Sequence, residues 1–154
     1  MPRQNHDRRR LLFLTLAPLA AALRPCPAAA QSALPPIAQP AEQTKAAFLA
    51  RARALRDQAV REGDQSYGAV VVRDGLIVGE GRNFVVRDSD PTAHAELLAV
   101  RDAARRLGTR DLSDCEVYSP ATPCPMCQGA LCWARVRRWF TESTPEGLAP
   151  KLGC

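Results

Sequence analysis

Two short segments hold the residues best suited to chemistry: His94-Ala95-Glu96 and Pro123-Cys124-Pro125-Met126-Cys127. One imidazole and two thiolates supply three soft-to-borderline ligands for zinc. An ion with three protein ligands keeps a fourth position for water, which marks a hydrolytic rather than a structural site. The carboxylate of Glu96 is then left over to move protons. Taken alone, Cys124 to Cys127 is a CxxC, a spacing that thiol redox pairs share with zinc sites. A redox pair, however, leaves His94 and Glu96 without a task.

The elements around these residues must bring them to one place. Pro125 suits the first turn of a helix, so Cys124 is expected at the cap and Cys127 within that turn. Helix N-termini favour negative charge and lower thiol pKa values. A helix is expected there from Pro125 to near Arg135. Another is expected from about Ala93 to Leu107, with Gly108 as its stop, which puts His94 and Glu96 at its start. Cys115 to Tyr118 reads as a strand between the two helices, so two adjacent helix starts can converge on one metal. Upstream, Glu42 to about Arg61 reads as a helix. Tyr67 to Val72 and Leu76 to Gly79 read as a hairpin about the Asp74-Gly75 turn. Gly81 to Thr92 is expected as a loop, and Arg137 to Thr141 as a last strand. Helices alternating with strands after a hairpin predict a three-layer α/β/α fold with a mixed sheet.

The 154 residues suffice for one domain with a real core. The net charge of +5 suggests nucleic acid, but +4 of it lies in residues 1–30. The remainder, at +1, argues against strong phosphate binding. Residues 1–30 read as an export signal: Arg8-Arg9-Arg10, an apolar run from Leu11 to Leu23, and Ala28-Ala29-Ala30 before Gln31. That apolar run is too short to span a bilayer. Arg8-Arg9-Arg10-Leu11-Leu12 follows the twin-arginine pattern, so the twin-arginine export machinery is an expected partner and the periplasm or medium the expected location. Folded export with zinc already loaded would keep both sulfurs as thiolates in an oxidising compartment. Residues 31–41, rich in Pro and Ala, read as a linker, and 42–154 as the zinc domain.

H-x-E followed by P-C-x-x-C is the signature of zinc nucleobase deaminases. From about Phe48 to Phe140 the chain resembles the cytidine-deaminase-like superfamily, most closely the branch with bacterial guanine deaminases and tRNA adenosine deaminases. The resemblance rests on Tyr67-Gly68-Ala69-Val70-Val71-Val72, Gly81-Arg82-Asn83, Asp90-Pro91-Thr92-Ala93-His94-Ala95-Glu96, and Pro123 to Cys127 with Gly129-Ala130. It implies Zn2+ on His94, Cys124 and Cys127, and Glu96 as the proton carrier in replacing a ring amino group by oxygen. It implies that Asn83 hydrogen-bonds the base or sugar and that backbone near Ala95 reads the base edge. A purine such as guanine is the implied small-molecule substrate, and a homodimer the implied assembly. Adenosine in tRNA and cytosine or cytidine are the alternative substrates. A non-catalytic zinc scaffold and a thiol oxidoreductase are the alternatives of another class.

Thirteen residues follow Thr141, where the family continues with a further strand and helices. The expectation is a fold truncated at its C-terminus, with a second copy covering the opened pocket. Cys115 and Cys132 are expected as small core residues. Trp139 and Phe140 are expected in the core, while Phe84 and Trp133 could stack on a base.

Overall fold

The computed structural model describes residues 34–144. The leader, the twin-arginine pattern, the start of the linker and the segment 145–154 lie outside the described residues. The described elements run α1 Lys45–Arg61, β1 Gly68–Arg73, β2 Leu76–Arg82, α2 Val85–Asp88, α3 Ala95–Leu107, β3 Cys115–Tyr118, α4 Pro125–Trp133 and β4 Arg138–Phe140. The sheet order is β2-β1-β3-β4. β1 is antiparallel to β2 and β3, and β3 is parallel to β4, so the sheet is mixed as expected. The hairpin turn holds Asp74 and Gly75 at φ 49° and 78°, the paired positive angles of a type I′ turn.

Every residue of β1 from Gly68 to Val72 is buried, because the strand is covered on both faces. Val70 and Val72 pack with Phe48, Leu49, Ala52 and Leu55 of α1. Ala69 and Val71 pack on the opposite face with Ala95, Ala99 and Ala103 of α3 and Leu131 of α4. These are the three layers expected from the element order. Thr44 caps α1 by accepting from Ala47 N at 3.2 Å.

A bulge in β2 sets how α3 sits. Val71 pairs with Gly79 and Val72 with Ile77, so Val78 is the extra residue. Ile77 thus faces α1, whereas Gly79 and Gly81 face α3. A Cβ on Gly81 would meet Ala95 O at 2.1 Å and Ala99 N at 2.5 Å; one on Gly79 would meet Ala103 N at 2.6 Å. Two glycines on one face of β2 let the backbone of α3 lie directly on the strand.

Several local expectations are corrected. β2 continues to Arg82, paired with Gly68, and the expected loop contains the short helix α2. Main-chain N–H groups of Val86 and Arg87 donate to Asp64 Oδ2, so that helix is capped from a distant loop. α4 stops at Trp133 in a Schellman motif: Val136 N bonds Leu131 O, Arg135 N bonds Cys132 O, and Arg135 takes φ 60°. An arginine at that position hides the stop from a glycine-based reading. The last residues of the expected linker lie on the domain: Gln39 brackets the main chain of Ile77 and Ile37 packs beside α1. Cys115 is fully buried as expected, but Cys132 is only half-buried. Trp139 and Phe140 pack against the two cores, while Trp133 is 89% exposed. Among the described residues, no helix is long and apolar enough to cross a membrane.

Candidate metal centre

His94 and Cys124 occupy equivalent places, the N-cap residues of α3 and α4. Both have extended backbone, and their carbonyls accept the first helical N–H groups, from Leu98 at 3.0 Å and Gln128 at 2.9 Å. Neither side chain caps its own helix, so both are free to serve as ligands. The turn into His94 is shaped by Asp90, which accepts from Thr92 N at 2.8 Å and Thr92 Oγ1 at 2.7 Å. These bonds hold the Asp90 carboxyl below its ordinary range. The entry to Cys124 is held by Gln128 Nε2, which donates to Pro123 O at 2.7 Å. Pro125 takes the first position of α4, as the sequence predicts.

The two caps converge. His94 Nδ1 lies 3.6 Å from Cys124 Sγ and 3.7 Å from Cys127 Sγ. The three donor atoms all lie within 4.8 Å of one another. With Zn–S about 2.3 Å and Zn–N about 2.0–2.1 Å, a tetrahedral ion separates N from S by about 3.6 Å. The donor set therefore fits zinc in type and in spacing. Both thiols are free and gather on one imidazole nitrogen. Burial, followed by the nearby Glu96 carboxylate, pushes the Cys127 thiol well above its ordinary range. Two thiolates beside a carboxylate require a cation, and the N-termini of α3 and α4 point positive ends at the same place.

Glu96 is only 3% exposed. Its Oε2 is 3.6 Å from Cys127 Sγ, and Ser119 Oγ approaches its Oε1 at 3.5 Å. The carboxylate thus borders the donor set on the second residue of α3. Ala95 opens α3, where first-turn N–H groups have no helical acceptor. Asn83 is fully buried at the end of β2. Asn83 N donates to Tyr67 O at 3.2 Å, and Phe84 N donates to Ala93 O at 3.0 Å. The residue after Asn83 thus bonds the residue before His94.

Two neighbours escape a reading of the sequence. Tyr67, read there only as the start of a strand, has its ring parallel to the His94 imidazole at a centroid distance of 6.5 Å. Ser119 follows the last residue of β3 and is 1% exposed. A position just past the carboxyl end of a strand is the available signal for such a residue. Phe84, a candidate for base stacking, instead lies against two guanidinium groups: Arg87 Cζ is 3.3 Å and Arg82 Cζ 4.5 Å from its ring centre.

Comparison with known proteins agrees with this geometry. Residues 42–143 match the cytidine and deoxycytidylate deaminase zinc-binding region. Guanine deaminase of Bacillus subtilis (strain 168) is 48% identical over 94 residues, 60% of each chain. A solved structure of guanine deaminase from Bacillus subtilis superposes with a TM-score of 0.59 at 47% identity, over 61% of this chain and 60% of that one. The tRNA-specific adenosine deaminase of Aquifex aeolicus (strain VF5) is 42% identical over 87 residues, 55% of this chain and 58% of that one. The chain thus spans 60% and 58% of the length of these two curated relatives.

Proposed function

Because this chain belongs to the cytidine and deoxycytidylate deaminase zinc-binding family, we propose that it hydrolytically deaminates a nucleobase or nucleoside, with guanine as the leading substrate. The observation that carries the proposal is the buried carboxylate of Glu96 beside a three-donor zinc set. Guanine is favoured by the 48% identity to a guanine deaminase.

His94, Cys124 and Cys127 would hold zinc, which would lower the pKa of a water nucleophile toward about 7. Glu96 accepts one proton from water and gives it to a ring nitrogen, then accepts the second from the newly added hydroxyl and gives it to the departing amine. A C–N bond is exchanged for a C–O bond, and ammonia leaves with one of the two protons that water supplied, the other staying on the ring nitrogen. Ser119 Oγ, on the Oε1 side of Glu96, restrains the carboxylate during this transfer. The parallel faces of Tyr67 and His94 suit a flat heterocycle. Asn83 and the Ala95 main chain orient its edge.

Adenosine within tRNA is the second reading, favoured by the 42% identity to a tRNA-specific adenosine deaminase. The near-neutral charge of residues 31–154 weighs against it. Ammonia release by the zinc-loaded full chain, assayed on guanine, adenine, cytosine and their nucleosides with Glu96→Ala as control, tests the proposal. Release from none of them refutes it, and release only from a tRNA anticodon stem-loop selects the second reading.

Export and assembly are parts of the same proposal. Arg8-Arg9-Arg10-Leu11-Leu12 and Ala28-Ala29-Ala30 support delivery by the twin-arginine machinery to the periplasm or medium. Mass spectrometry of the mature N-terminus is expected to find Gln31. A homodimer is expected in solution and is read by light scattering.

A further inference from the structure

Asn83 is fully buried, yet only one end of its amide is satisfied among the described residues. Nδ2 donates to Asp64 Oδ1 and to Gln65 Oε1, each at 3.1 Å. Oδ1 has no partner among the described residues. Chemistry settles which end is which: an ionised carboxylate only accepts, so the end that faces Asp64 must be the NH2. A buried carbonyl oxygen is left over as a lone acceptor, a costly arrangement that a ligand bringing an N–H or O–H would relieve.

Asp64 can hold this orientation because it is itself held. Gln65 N donates to Oδ1 at 2.8 Å, while Val86 N and Arg87 N donate to Oδ2 at 3.1 and 3.0 Å. Burial alone would raise its pKa. Hydrogen bonds from Arg87 and Gln65 main chain, the Asn83 side chain and Val86 main chain outweigh that and keep the carboxyl below its ordinary value. One carboxylate therefore ties together the loop before β1, the end of β2 and the start of α2.

We propose that Asp64 is a positioning residue for substrate recognition: it locks Asn83 with the carbonyl oxygen presented as an acceptor. The site then selects substrates that donate an N–H or O–H at that point. The proposal rests on the reading of Asn83 as a substrate contact in the deamination described above. The donor is a ring N–H of a free base or a hydroxyl of a nucleoside, and parallel kinetics on guanine and guanosine separate the two.

The test is a double-mutant cycle on the zinc-loaded full chain. Asp64→Asn lets the Asn83 amide turn over and is expected to raise KM about tenfold, the effect of one lost hydrogen bond, with kcat and zinc content nearly unchanged. Asn83→Ala is expected to raise KM by a similar factor. In that background Asp64→Asn is expected to add nothing, because Asp64 acts through Asn83. Additive effects, an unchanged KM in Asp64→Asn, or a loss confined to kcat would overturn the proposal. An unchanged KM in Asn83→Ala would overturn it by removing the substrate contact, while leaving deamination at zinc intact. Side-chain amide NMR of the unmodified chain gives a reading independent of variant folding. A locked Asn83 shows two resolved Nδ2 protons that exchange slowly with water, and rapid exchange would also refute the lock.

Discussion

The ring of Tyr67 lies parallel to the imidazole of His94, with 1° between the planes and 6.5 Å between the centroids. A residue that immediately precedes β1 thereby shares an orientation with a ligand that caps α3. Tyr67 remains 41% exposed, so its face is available to a bound ring.

Removing that face has a defined consequence. Tyr67→Ala is expected to raise KM about tenfold, from the loss of about 1–3 kcal/mol of base stacking. Tyr67→Phe keeps the flat ring and is expected to leave KM within about twofold. Steady-state kinetics on both variants decides the matter, and equal losses would assign the role to the hydroxyl instead.

Glu96→Gln keeps the size of the buried side chain and removes its ability to take a proton. Turnover is expected to fall by at least about 10²–10⁴-fold, the contribution of general acid–base catalysis. Zinc bound per chain should stay constant, since Glu96 is not among the three donors. Activity assays paired with metal analysis read both quantities, and retained turnover would remove Glu96 from the mechanism.

Metal removal should act on stability as well as on rate, because His94, Cys124 and Cys127 join two helices and gain their cation only in the folded state. A zinc chelator is expected to lower the melting temperature of the unmodified chain and to abolish activity, with both restored by added zinc. Cys127→Ser should melt lower from the outset and be insensitive to the chelator. A chelator shift of equal size in both proteins would place the metal elsewhere.

Gly81→Ala inserts a methyl group against Ala95 O and Ala99 N, at 2.1 and 2.5 Å in the present backbone. Such overpacking is expected to cost about 1–3 kcal/mol. It should also weaken zinc binding, since α3 carries His94 at its cap. Gly129→Ala is the control: its Cβ would meet nothing within 4 Å, and removing a glycine from α4 should stabilise by about 0.5–1 kcal/mol. Chemical denaturation of the two variants measures the contrast.

Cys115 gives a pH signature. Burial, reinforced by the Asp114 carboxylate, pushes its thiol up to about 12 from an ordinary value of 9.0. The folded state keeps this proton over a range in which the unfolded chain releases it. The stabilisation is therefore complete below pH 9 and is lost as pH rises toward about 12. Denaturant titrations across that range are expected to show a shallower fall for Cys115→Ala than for the unmodified chain. Identical slopes would show that the thiol ionises alike in both states.

Much of the fold is legible in the chain because its signals are local. Asp74-Gly75 marks the turn, Gly108 the end of α3, and Pro125 the start of α4, each through the backbone angles those residues favour. The elements that escape are those whose cause is remote. Helix α2 depends on Asp64 from another loop, and the stop of α4 places an arginine at the left-handed position. The β2 bulge at Val78 breaks the two-residue alternation on which any strand reading rests.

The same division holds at the site. Residue types and spacing by themselves determined the donor set of His94, Cys124 and Cys127 and the spare carboxylate of Glu96, because ligand chemistry is a property of side chains and helix caps are written in neighbouring residues. Only the tertiary structure decided what stands around them. Tyr67 beside His94, Ser119 beside Glu96, and Asp64 beneath Asn83 come from different strands and loops. The close approach of β2 to α3 through Gly79 and Gly81 is likewise a packing relation that no local pattern encodes.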